Sequence, residues 1–365
     1  MIKQLKQFTI NLVAGANIAT VAIMLLSGYS DRLNPIDYPL LACLGMAFPM
    51  FLIFNLLFLF FWIIFKWQKL WIPVSGYLLV YSPISIYMPI NQPSKDAPDD
   101  CIGIVSYNVC TYGGNYKYSD AFERILDYLK QEDADIVCIQ EDIDTWRKYL
   151  FKRYEALYPY NDTVHFSNSS TSMNGVGIHT RYPILRKERI AYPSHANGSV
   201  AYYLLKDKDT LLVINNHLEG THLTSEDRSR YKDILKGEVD GDTVRAESMY
   251  LISKLGQNAA KRAIGVAAVR RYMDAHRQYP TIVCGDFNDT PISYARHTLA
   301  QGMTDCFAAS GQGVGLSYNQ KGFWVRIDYI LCSAQFTPYN CKVNSKIDFS
   351  DHYPIRCKLK LADKH

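Results

Sequence analysis

Apolar residues are concentrated at the start of the chain, where three long runs carry no charged side chain. These runs cover residues 8–26, 40–65 and 71–90. Each is close to the roughly 20 residues that an α-helix needs to cross the hydrocarbon core of a bilayer. The pattern therefore predicts a membrane anchor of three transmembrane helices within residues 1–91.

Two alternatives to membrane-spanning helices stay open: buried helices of a soluble core or, for the first run, a cleavable signal peptide. The second run favours a membrane most strongly, because it is long and tryptophan occurs near its end, at Trp62 and Trp67. The third run is the weakest, since Pro73, Pro83 and Pro89 interrupt it. Membrane helices tolerate proline where neighbouring groups bond the freed backbone.

Basic residues predict the orientation of this anchor. Lys3 and Lys6 precede the first run and Lys66 and Lys69 follow the second, whereas the loop between the two runs has only Arg32 as a cation. By the positive-inside rule, the N-terminus and the second loop lie in the cytoplasm. Three spans then place the rest of the chain on the opposite side. In a bacterium this is a multi-pass inner-membrane protein with a periplasmic domain.

A polar stretch with two prolines, residues 92–100, predicts a linker to a second domain at residues 101–365. An amphipathic pattern at residues 119–130 predicts a helix with Ser119 as its N-cap, and residues 225–276 predict two or more helices. Strand-like apolar runs occur at residues 102–107, 136–140, 175–179, 211–215, 281–284, 326–331 and 353–359. Strands joined by both turns and helices predict a layered α/β domain with mixed sheets.

Composition and cysteine usage narrow the function only a little. The chain has 39 Lys and Arg against 35 Asp and Glu, and a net charge of +4 is too small to indicate nucleic-acid binding by electrostatics alone. Cys138, Cys284 and Cys332 lie in strand-like runs, where cysteine behaves as a small buried apolar residue. The chain contains no CxxC pair and no His/Cys spacing typical of zinc, so we expect no zinc site.

Polar side chains recur where the expected strands end. Carboxylate and amide oxygens are ligands that Mg²⁺ or Mn²⁺ prefers, and histidines transfer protons or stabilise charge on phosphoryl oxygens. A rim with both kinds of group therefore suits the hydrolysis of a phosphate ester. The residues in question are Asn108, Gln140, Glu141, Asn216, His217, Asp286, Asn288, Asp328, Asp351 and His352.

Six short motifs carry a resemblance to a known family. They are residues 106–109 (Ser-Tyr-Asn-Val), 139–141 (Ile-Gln-Glu), 216–218 (Asn-His-Leu), 285–291 (Gly-Asp-Phe-Asn-Asp-Thr-Pro), 326–330 (Arg-Ile-Asp-Tyr-Ile) and 350–354 (Ser-Asp-His-Tyr-Pro). In this order they resemble the motifs of the endonuclease/exonuclease/phosphatase superfamily, which includes deoxyribonuclease I, abasic-site endonucleases, neutral sphingomyelinases and inositol polyphosphate 5-phosphatases. The resemblance covers the large domain and not the anchor. It implies a four-layer α/β sandwich, in which helices flank two central mixed β-sheets.

The same resemblance implies a metal site. Glu141 corresponds to the principal ligand for Mg²⁺ or Mn²⁺, with Asn108 beside it and Asp351 near the same ion. Asp286 and Asn288 correspond to the pair that orients the attacking water and contacts the scissile phosphate. The number of metal ions stays open.

The resemblance also implies roles for two histidines. His352 is similar to the histidine that hydrogen-bonds the phosphate or acts as general base, and Asp328 to the carboxylate that orients it. His217 matches a second histidine, which helps to protonate the leaving oxygen. Which residue is the base is left open. A simpler alternative for residues 285–288 is a turn after a strand, since glycine, aspartate and asparagine favour turns.

The function that follows is metal-dependent hydrolysis of a phosphoester near a membrane. The substrate is a nucleic acid, a nucleotide or a phospholipid headgroup, and no obligate protein partner is expected. The alternatives are a catalytically silent membrane scaffold and a nucleic-acid-binding module that retained the fold. The basic helical stretch indicates either a solvated face or contacts with an anionic substrate or lipid headgroups. Six histidines outside the motifs are expected to be structural or on the surface: His165, His179, His195, His222, His276 and His297.

Overall fold

The computed structural model describes residues 2–92, 97–113, 118–143, 148–166, 174–194, 196–237, 240–320 and 323–362. An N-terminal group of helices is followed by a domain in which strands and helices alternate. The helices are α1 (Ile2–Gly28), α2 (Pro39–Ala42), α3 (Phe48–Phe65), α4 (Trp71–Leu79), α5 (Tyr81–Tyr87), α6 (Cys110–Gly113), α7 (Ala121–Glu132), α8 (Lys148–Glu155), α9 (Ser225–Lys236), α10 (Gly241–Ala275), α11 (Tyr294–Ala300) and α12 (Cys306–Ser310). Short 3₁₀ helices lie at Ser30–Arg32, Cys43–Ala47 and Trp67–Lys69.

Two six-stranded mixed sheets form the centre of the second domain. The first has the order β13-β14-β1-β2-β4-β3 and the second the order β5-β6-β7-β8-β12-β9, and β10 and β11 form a separate hairpin. The strands are β1 (Ile102–Asn108), β2 (Ile136–Gln140), β3 (Tyr160–His165), β4 (Gly175–Thr180), β5 (Ile184–Ile190), β6 (Gly198–Lys206), β7 (Asp209–His217), β8 (Thr281–Asp286), β9 (Met303–Asp305), β10 (Tyr318–Gln320), β11 (Phe323–Val325), β12 (Asp328–Ser333), β13 (Phe336–Val343) and β14 (Ile355–Leu361).

Alternation along the strands builds a four-layer core. Ile104 of β1 belongs to the cluster buried between the sheets, whereas its neighbour Val105 points to the outer face and packs with α7. On the other side, Leu212 of β7 packs with Val266 and Val269 of α10. Successive side chains of a strand point to opposite faces, so a strand buried on both sides is apolar throughout. The expected four-layer α/β sandwich is confirmed.

Several boundaries in the domain differ from the sequence expectation, and two of the differences have a clear physical reason. Helix α7 begins at Ala121 with Asp120, not Ser119, at its N-cap, because burial of Ala121 and Phe122 fixes where the helix starts. Strand β14 begins at Ile355, two residues later than expected, since Pro354 has no amide hydrogen to donate to a neighbouring strand. Two helices, α9 and α10, fill the stretch for which two or more were predicted.

Two of the three expected membrane spans correspond to helices that are long and apolar enough to cross a membrane, and the third differs from the expectation. The segments 2–32 and 39–65 are long and apolar enough to cross a membrane. The third run is not one straight helix, because residues 67–79 and 81–87 form a pair bent by 60°. The number of possible spans is therefore two, or three if the bent pair crosses as one.

Pro83 explains the bend. In a straight helix the Leu79 carbonyl would accept a hydrogen bond from residue 83, but proline has no amide hydrogen and its ring crowds that carbonyl. The hydroxyl of Tyr29, at the end of α1, donates to the Leu79 oxygen instead, at 2.7 Å. The backbone group freed by the proline is thus satisfied by a neighbouring element.

A buried polar network joins the long helices of this N-terminal group, which we call the anchor after its expected role. The Asn17 side chain in α1 donates to Asn55 Oδ1 in α3 at 3.1 Å, and Asn55 donates to the Pro73 carbonyl in α4 at 2.9 Å. Trp62 Nε1 donates to Asn17 Oδ1 at 3.0 Å. Side-chain amides of this kind hold apolar helices together where packing alone gives little specificity.

The anchor packs directly on the second domain. A Cβ at Gly45 would lie 2.0 Å from the Ile292 carbonyl oxygen, and a Cβ at Gly256 of α10 would lie 2.7 Å from the Pro39 oxygen, so both contacts require glycine. The Arg326 guanidinium donates to the Ile86 carbonyl at 2.5 Å. These contacts fix the anchor beside the carboxyl ends of β7 and β8, where the polar residues collect.

Candidate active site

Sheet register brings the polar residues of several strands together. The parallel pairing of β7 with β8 places His217 opposite Asp286, and the antiparallel pairing of β12 with β8 places Asp328 on the other side of Asp286. In the first sheet, Asn108 lies at the end of β1, and Glu141 follows the end of β2 directly. The two sheets therefore face each other with their polar ends on one edge, as expected from the sequence.

Residues with unusual backbone dihedral angles direct these side chains towards one another. Gly285 has φ +128°, and a Cβ there would lie 1.9 Å from the Asn216 carbonyl oxygen, so only glycine fits before Asp286. Glu141 and Asn288 have φ values of +56° and +53°, in the left-handed region that few residues adopt. The backbone after β8 bends at Asn288 and Asp289, and this segment also directs polar groups towards a cavity.

Asp286 is at the centre of the cluster. Its Oδ2 atom accepts hydrogen bonds from Asn108 Nδ2 at 3.1 Å and Asn288 Nδ2 at 3.2 Å. The same oxygen is 3.7 Å from the Nε2 atoms of both His217 and His352. Four residues from four different motifs thus meet at one carboxylate.

His352 is held by Asp328. Its Nδ1 is 2.8 Å from Asp328 Oδ2, and both side chains are buried. Burial by itself lowers the pKa of His352, but Asp328 and Asp286 outweigh this effect and raise the pKa to about 10. The ring is therefore protonated at neutral pH, with Nε2 free to donate into the cavity.

The other groups of the cluster are shifted chiefly by burial. Burial raises the pKa of Asp286, and burial together with the charge of Asp351 raises the pKa of Glu141. Burial lowers the pKa of His217, although Asp286 partly offsets it. The cavity thus holds carboxylates whose charge is costly without a cation, which is the electrostatic condition for metal binding.

The donor set fits a hard divalent cation. Glu141 Oε1 is 3.2 Å from Asn108 Nδ2, and Asp351 is close enough to Glu141 to raise its pKa. Among the described residues, no Arg or Lys forms a salt bridge with Glu141 or Asp351. Oxygen donors without a cationic partner are what Mg²⁺ and Mn²⁺ bind.

A second group of ligand-capable atoms lies alongside. Atoms of Asp286, Asp328 and His352 lie within 4.8 Å of one another and are all buried. The Asp328–His352 hydrogen bond uses Nδ1 of the histidine and Oδ2 of the aspartate, so these two atoms are not free to bind a metal ion. Glu141 and Asp351 remain the better candidates for ligands.

Two of the strand-end residues, Gln140 and Asn216, stabilise the strands on which the site is built. Gln140 Nε2 donates to Asn215 Oδ1 at 2.7 Å, which joins the two sheets through their buried interior. Asn216 Nδ2 donates to the Cys284 carbonyl at 2.9 Å and so braces β8. Gln140 and Asn216 are buried and do not line the cavity. Their function is to hold the strands that present the other groups.

Several residues at the site had no sequence signal. Asn174 lies before β4, and its Oδ1 is 3.2 Å from His217 Nδ1. The Tyr318 ring is 5.1 Å from the His352 ring, and Arg228 of α9 lines the same cavity. Long-range packing alone brings these three residues to the site. Only the basic character of the stretch that begins at Arg228 hinted at a contact with an anion.

The histidines outside the motifs have mostly structural positions. His179 is buried and stacks on the Tyr154 ring at 3.7 Å. His297 is 3.2 Å from Asp31, which links α11 to the anchor. His222 is half-exposed, contacts Glu219 at 2.6 Å and lines the cavity, so it is closer to the site than expected. His195 lies outside the described residues.

The cavity has a volume of about 450 Å³. Its lining includes Glu141, His217, Asp286, Asn288, Asp351 and His352, with Arg228 and Tyr318 at one side. The anchor also contributes, through Pro35, Ala42, Cys43 and Met46. The site is thus formed between the α/β domain and the N-terminal helices.

Residues 105–352 match the model of the Endonuclease/Exonuclease/phosphatase family. The chain belongs to this family, whose named activities are all hydrolyses of phosphoesters, and membership supports an enzyme of that general kind. Residues 10–87 match a separate family described only as a domain of unknown function (DUF8431).

A curated relative and solved structures agree with this family. The chain is 23% identical over 309 residues to the CCR4-Not complex 3'-5'-exoribonuclease subunit Ccr4 of Mycosarcoma maydis, and the match covers 71% of this chain and 45% of that protein. The chain thus spans less than half of that relative's length.

Two solved structures show the fold. An endonuclease/exonuclease/phosphatase family protein from Leptotrichia buccalis is similar with a TM-score of 0.51 at 14% identity, covering 71% of this chain and 100% of that one. The human Nocturnin catalytic domain with bound sulfate is similar with a TM-score of 0.50 at 16% identity, covering 72% of this chain and 94% of that one.

Proposed function

We propose that the protein is a divalent-metal-dependent phosphoester hydrolase held at a membrane by its N-terminal helices. The observation that carries the proposal is the meeting of Asp286 with Asn108, His217 and His352 in one cavity, next to Glu141. A scaffold without chemistry has no need for buried acids whose pKa values are raised, or for a histidine held by a carboxylate.

The metal ion would be held by Glu141 and Asp351, with the side chain of Asn108 beside them. When bound, a divalent cation polarises a phosphoryl oxygen and offsets the charge that builds up on it. The raised pKa of Glu141 supports this assignment, because a cation removes the cost of keeping that carboxylate charged in a buried place.

The chain's own residues supply the rest of the chemistry. Asp286, oriented by Asn288, accepts a proton from water while the water oxygen attacks phosphorus. The bond between phosphorus and the leaving oxygen breaks, and that oxygen takes up a proton from solvent. His352 carries charge at neutral pH, so it suits donation to a phosphoryl oxygen better than the role of base. We place His217 beside the leaving oxygen, because its Nε2 atom is 3.7 Å from Asp286 Oδ2.

Substitution at the centre of the cluster tests this mechanism. We expect Asp286→Asn and His352→Gln each to lower the kcat of full-length protein on bis(4-nitrophenyl) phosphate by roughly 10²–10⁴-fold, as for loss of a general base or a charge-stabilising donor. Asp120→Asn is the matched control, because that exposed carboxylate pairs only with Arg124 among described residues and should leave kcat unchanged. Rates equal to wild type in both site variants would exclude this mechanism.

The anchor geometry supports the predicted orientation. Asp31 near the end of α1, Gly45 before α3 and Ile86 in α5 all contact the α/β domain. The basic residues Lys66 and Lys69 follow the far end of α3, which is 18 residues long and so extends roughly 27 Å. If the helices cross a membrane, the α/β domain therefore lies on the side opposite to these lysines, which is the non-cytoplasmic side.

A reporter fused after residue 365 tests this topology. In bacterial cells we expect alkaline phosphatase fused there to be active and green fluorescent protein to be dark, because the first folds only outside the cytoplasm and the second only inside. A fluorescent fusion with inactive phosphatase would reverse the orientation and leave the hydrolase proposal untouched.

A further inference from the structure

The cavity is lined by two chemically different sets of residues. One is the charged cluster around Asp286 and His352. The other is apolar and comes from both parts of the chain, and we call it the apolar wall. Its residues are Ala42, Cys43 and Met46 of the anchor and Leu255 and Ala259 of α10. An apolar wall of this kind suits a hydrocarbon chain.

The apolar wall continues into an exposed apolar rim. On the anchor, Leu40 and Leu41 are 45% and 48% exposed, immediately before the wall residues. On α10, Met249 and Ile252 are also exposed, and helical spacing places them on the same face as Gly256, which touches the Pro39 carbonyl. Exposed apolar residues grouped beside membrane-spanning helices favour contact with the lipid interface.

The cationic groups at the cavity suit one phosphate rather than a polyanion. Of the two arginines among the described lining residues, Arg262 already contacts Asp289 at 3.2 Å and donates to the Glu219 carbonyl. Arg228, which lies beside Tyr318, is the arginine that is left to bind an anion. Proteins that bind nucleic acid neutralise several successive phosphates with Lys and Arg. The lining seen here offers no such series.

We propose that the substrate is a lipid phosphoester, whose phosphate lies at Asp286 and His352 and whose hydrocarbon chain lies along Ala42, Cys43 and Met46. This inference rests on the hydrolase function proposed above and narrows its substrate class. The anchor then has two tasks: it holds the enzyme at the bilayer, and it forms the part of the binding site that receives the chain. The lipid enters past the apolar rim without leaving the interface.

Two probes that differ only in chain length test the proposal. Methyl 4-nitrophenyl phosphate and dodecyl 4-nitrophenyl phosphate have the same scissile bond and release the same chromogenic 4-nitrophenolate. With full-length protein in dodecyl maltoside and Mg²⁺ or Mn²⁺, we expect kcat/KM to be roughly 100-fold higher for the dodecyl ester, since burial of a few methylenes gives a factor of this size.

Variants separate binding at the wall from simple partition into detergent. Met46→Gln should lower the dodecyl-to-methyl ratio of kcat/KM by roughly 5- to 10-fold, and Leu255→Gln on the facing helix should do the same. The control is Met50→Gln: Met50 is similarly exposed, at 45% against 42% for Met46, but does not line the cavity. It should leave the ratio unchanged.

The outcomes distinguish this inference from the function on which it rests. If the methyl ester is hydrolysed as fast as the dodecyl ester, the hydrolase stands and the lipid substrate is wrong. A chain preference that Met46→Gln and Leu255→Gln leave intact arises from detergent and also overturns the inference, as does a single-stranded oligonucleotide cleaved faster than the dodecyl ester. If no probe is hydrolysed with either metal, the proposed function itself fails.

Discussion

At the scale of single residues, Asp286 lies at the centre of the polar cluster, in a buried position where its negative charge is unfavourable. Two amides donate to its Oδ2 and two imidazoles approach the same atom. Burial opposes its charge, and the two histidines offset this cost only in part, so the pKa of Asp286 is raised. The sequence showed that each group stands at a strand end. It did not show Asn174 or Tyr318 beside them, because their positions depend on contacts between distant segments.

His179 gives a residue-scale prediction about stability and pH. Burial lowers the pKa of His179 to about 3, so the folded state keeps it neutral while the unfolded chain binds a proton below about pH 6.5. Its contribution to stability is therefore complete above the unfolded pKa and is lost as the pH falls from about 6.5 towards 3. His179→Gln removes this dependence.

The measurement compares slopes and not absolute stabilities, since glutamine also loses the stacking on Tyr154. Between pH 6.5 and pH 5, the free energy of unfolding of wild type should fall by roughly 2 kcal/mol more than that of His179→Gln, because one proton contributes about 1.4 kcal/mol per pH unit. Guanidinium titrations of full-length protein at both pH values would give these free energies. If the free energy of unfolding fell equally with pH in the two proteins, His179 would have to be protonated in the folded state as well.

At the scale of elements, the sequence was most informative about central strands. Strands β1, β2, β7 and β8 are buried on both faces, so their apolar runs are continuous. Strands β3, β5, β9 and β13 lie at the sheet edges and were not recognised, and neither was β6, which is buried between β5 and β7. Half-exposed edge strands such as β5, with its run of charged residues, carry a weaker pattern.

The bend between α4 and α5 is an element-scale feature that composition could suggest but not locate. The sequence shows several prolines in that run, yet only the packing of Tyr29 against Leu79 shows which carbonyl is freed and how it is satisfied. We expect Tyr29→Phe to lower the free energy of unfolding in detergent by about 1–2 kcal/mol, because it leaves a carbonyl without its donor.

The same unfolding measurement on Tyr38→Phe is the control. Tyr38 is 53% exposed, so the loss of its hydroxyl should change the free energy by less than about 0.5 kcal/mol. If Tyr29→Phe were as stable as Tyr38→Phe, another group must satisfy the Leu79 carbonyl, and the explanation of the bend would need revision.

At the scale of the whole molecule, the main feature that the sequence did not predict is the contact between the N-terminal helices and the α/β domain. The sequence separated an anchor from a catalytic domain. The structure places Ala42, Cys43 and Met46 of the anchor in the lining of the candidate active-site cavity. No local pattern predicts this, because it depends on close backbone approaches at Gly45 and Gly256 between segments far apart in the chain. The anchor thus belongs to the site.

The central claim is that residues from separate strands hold one divalent cation that hydrolysis requires. The most direct test titrates Mn²⁺ into the metal-stripped full-length protein, follows binding by calorimetry, and assays bis(4-nitrophenyl) phosphate hydrolysis in the same samples. We predict that binding and rate rise together, and that Glu141→Gln weakens Mn²⁺ binding by at least roughly 10-fold. Full activity in excess EDTA, or Mn²⁺ affinity unchanged in Glu141→Gln, would contradict the account.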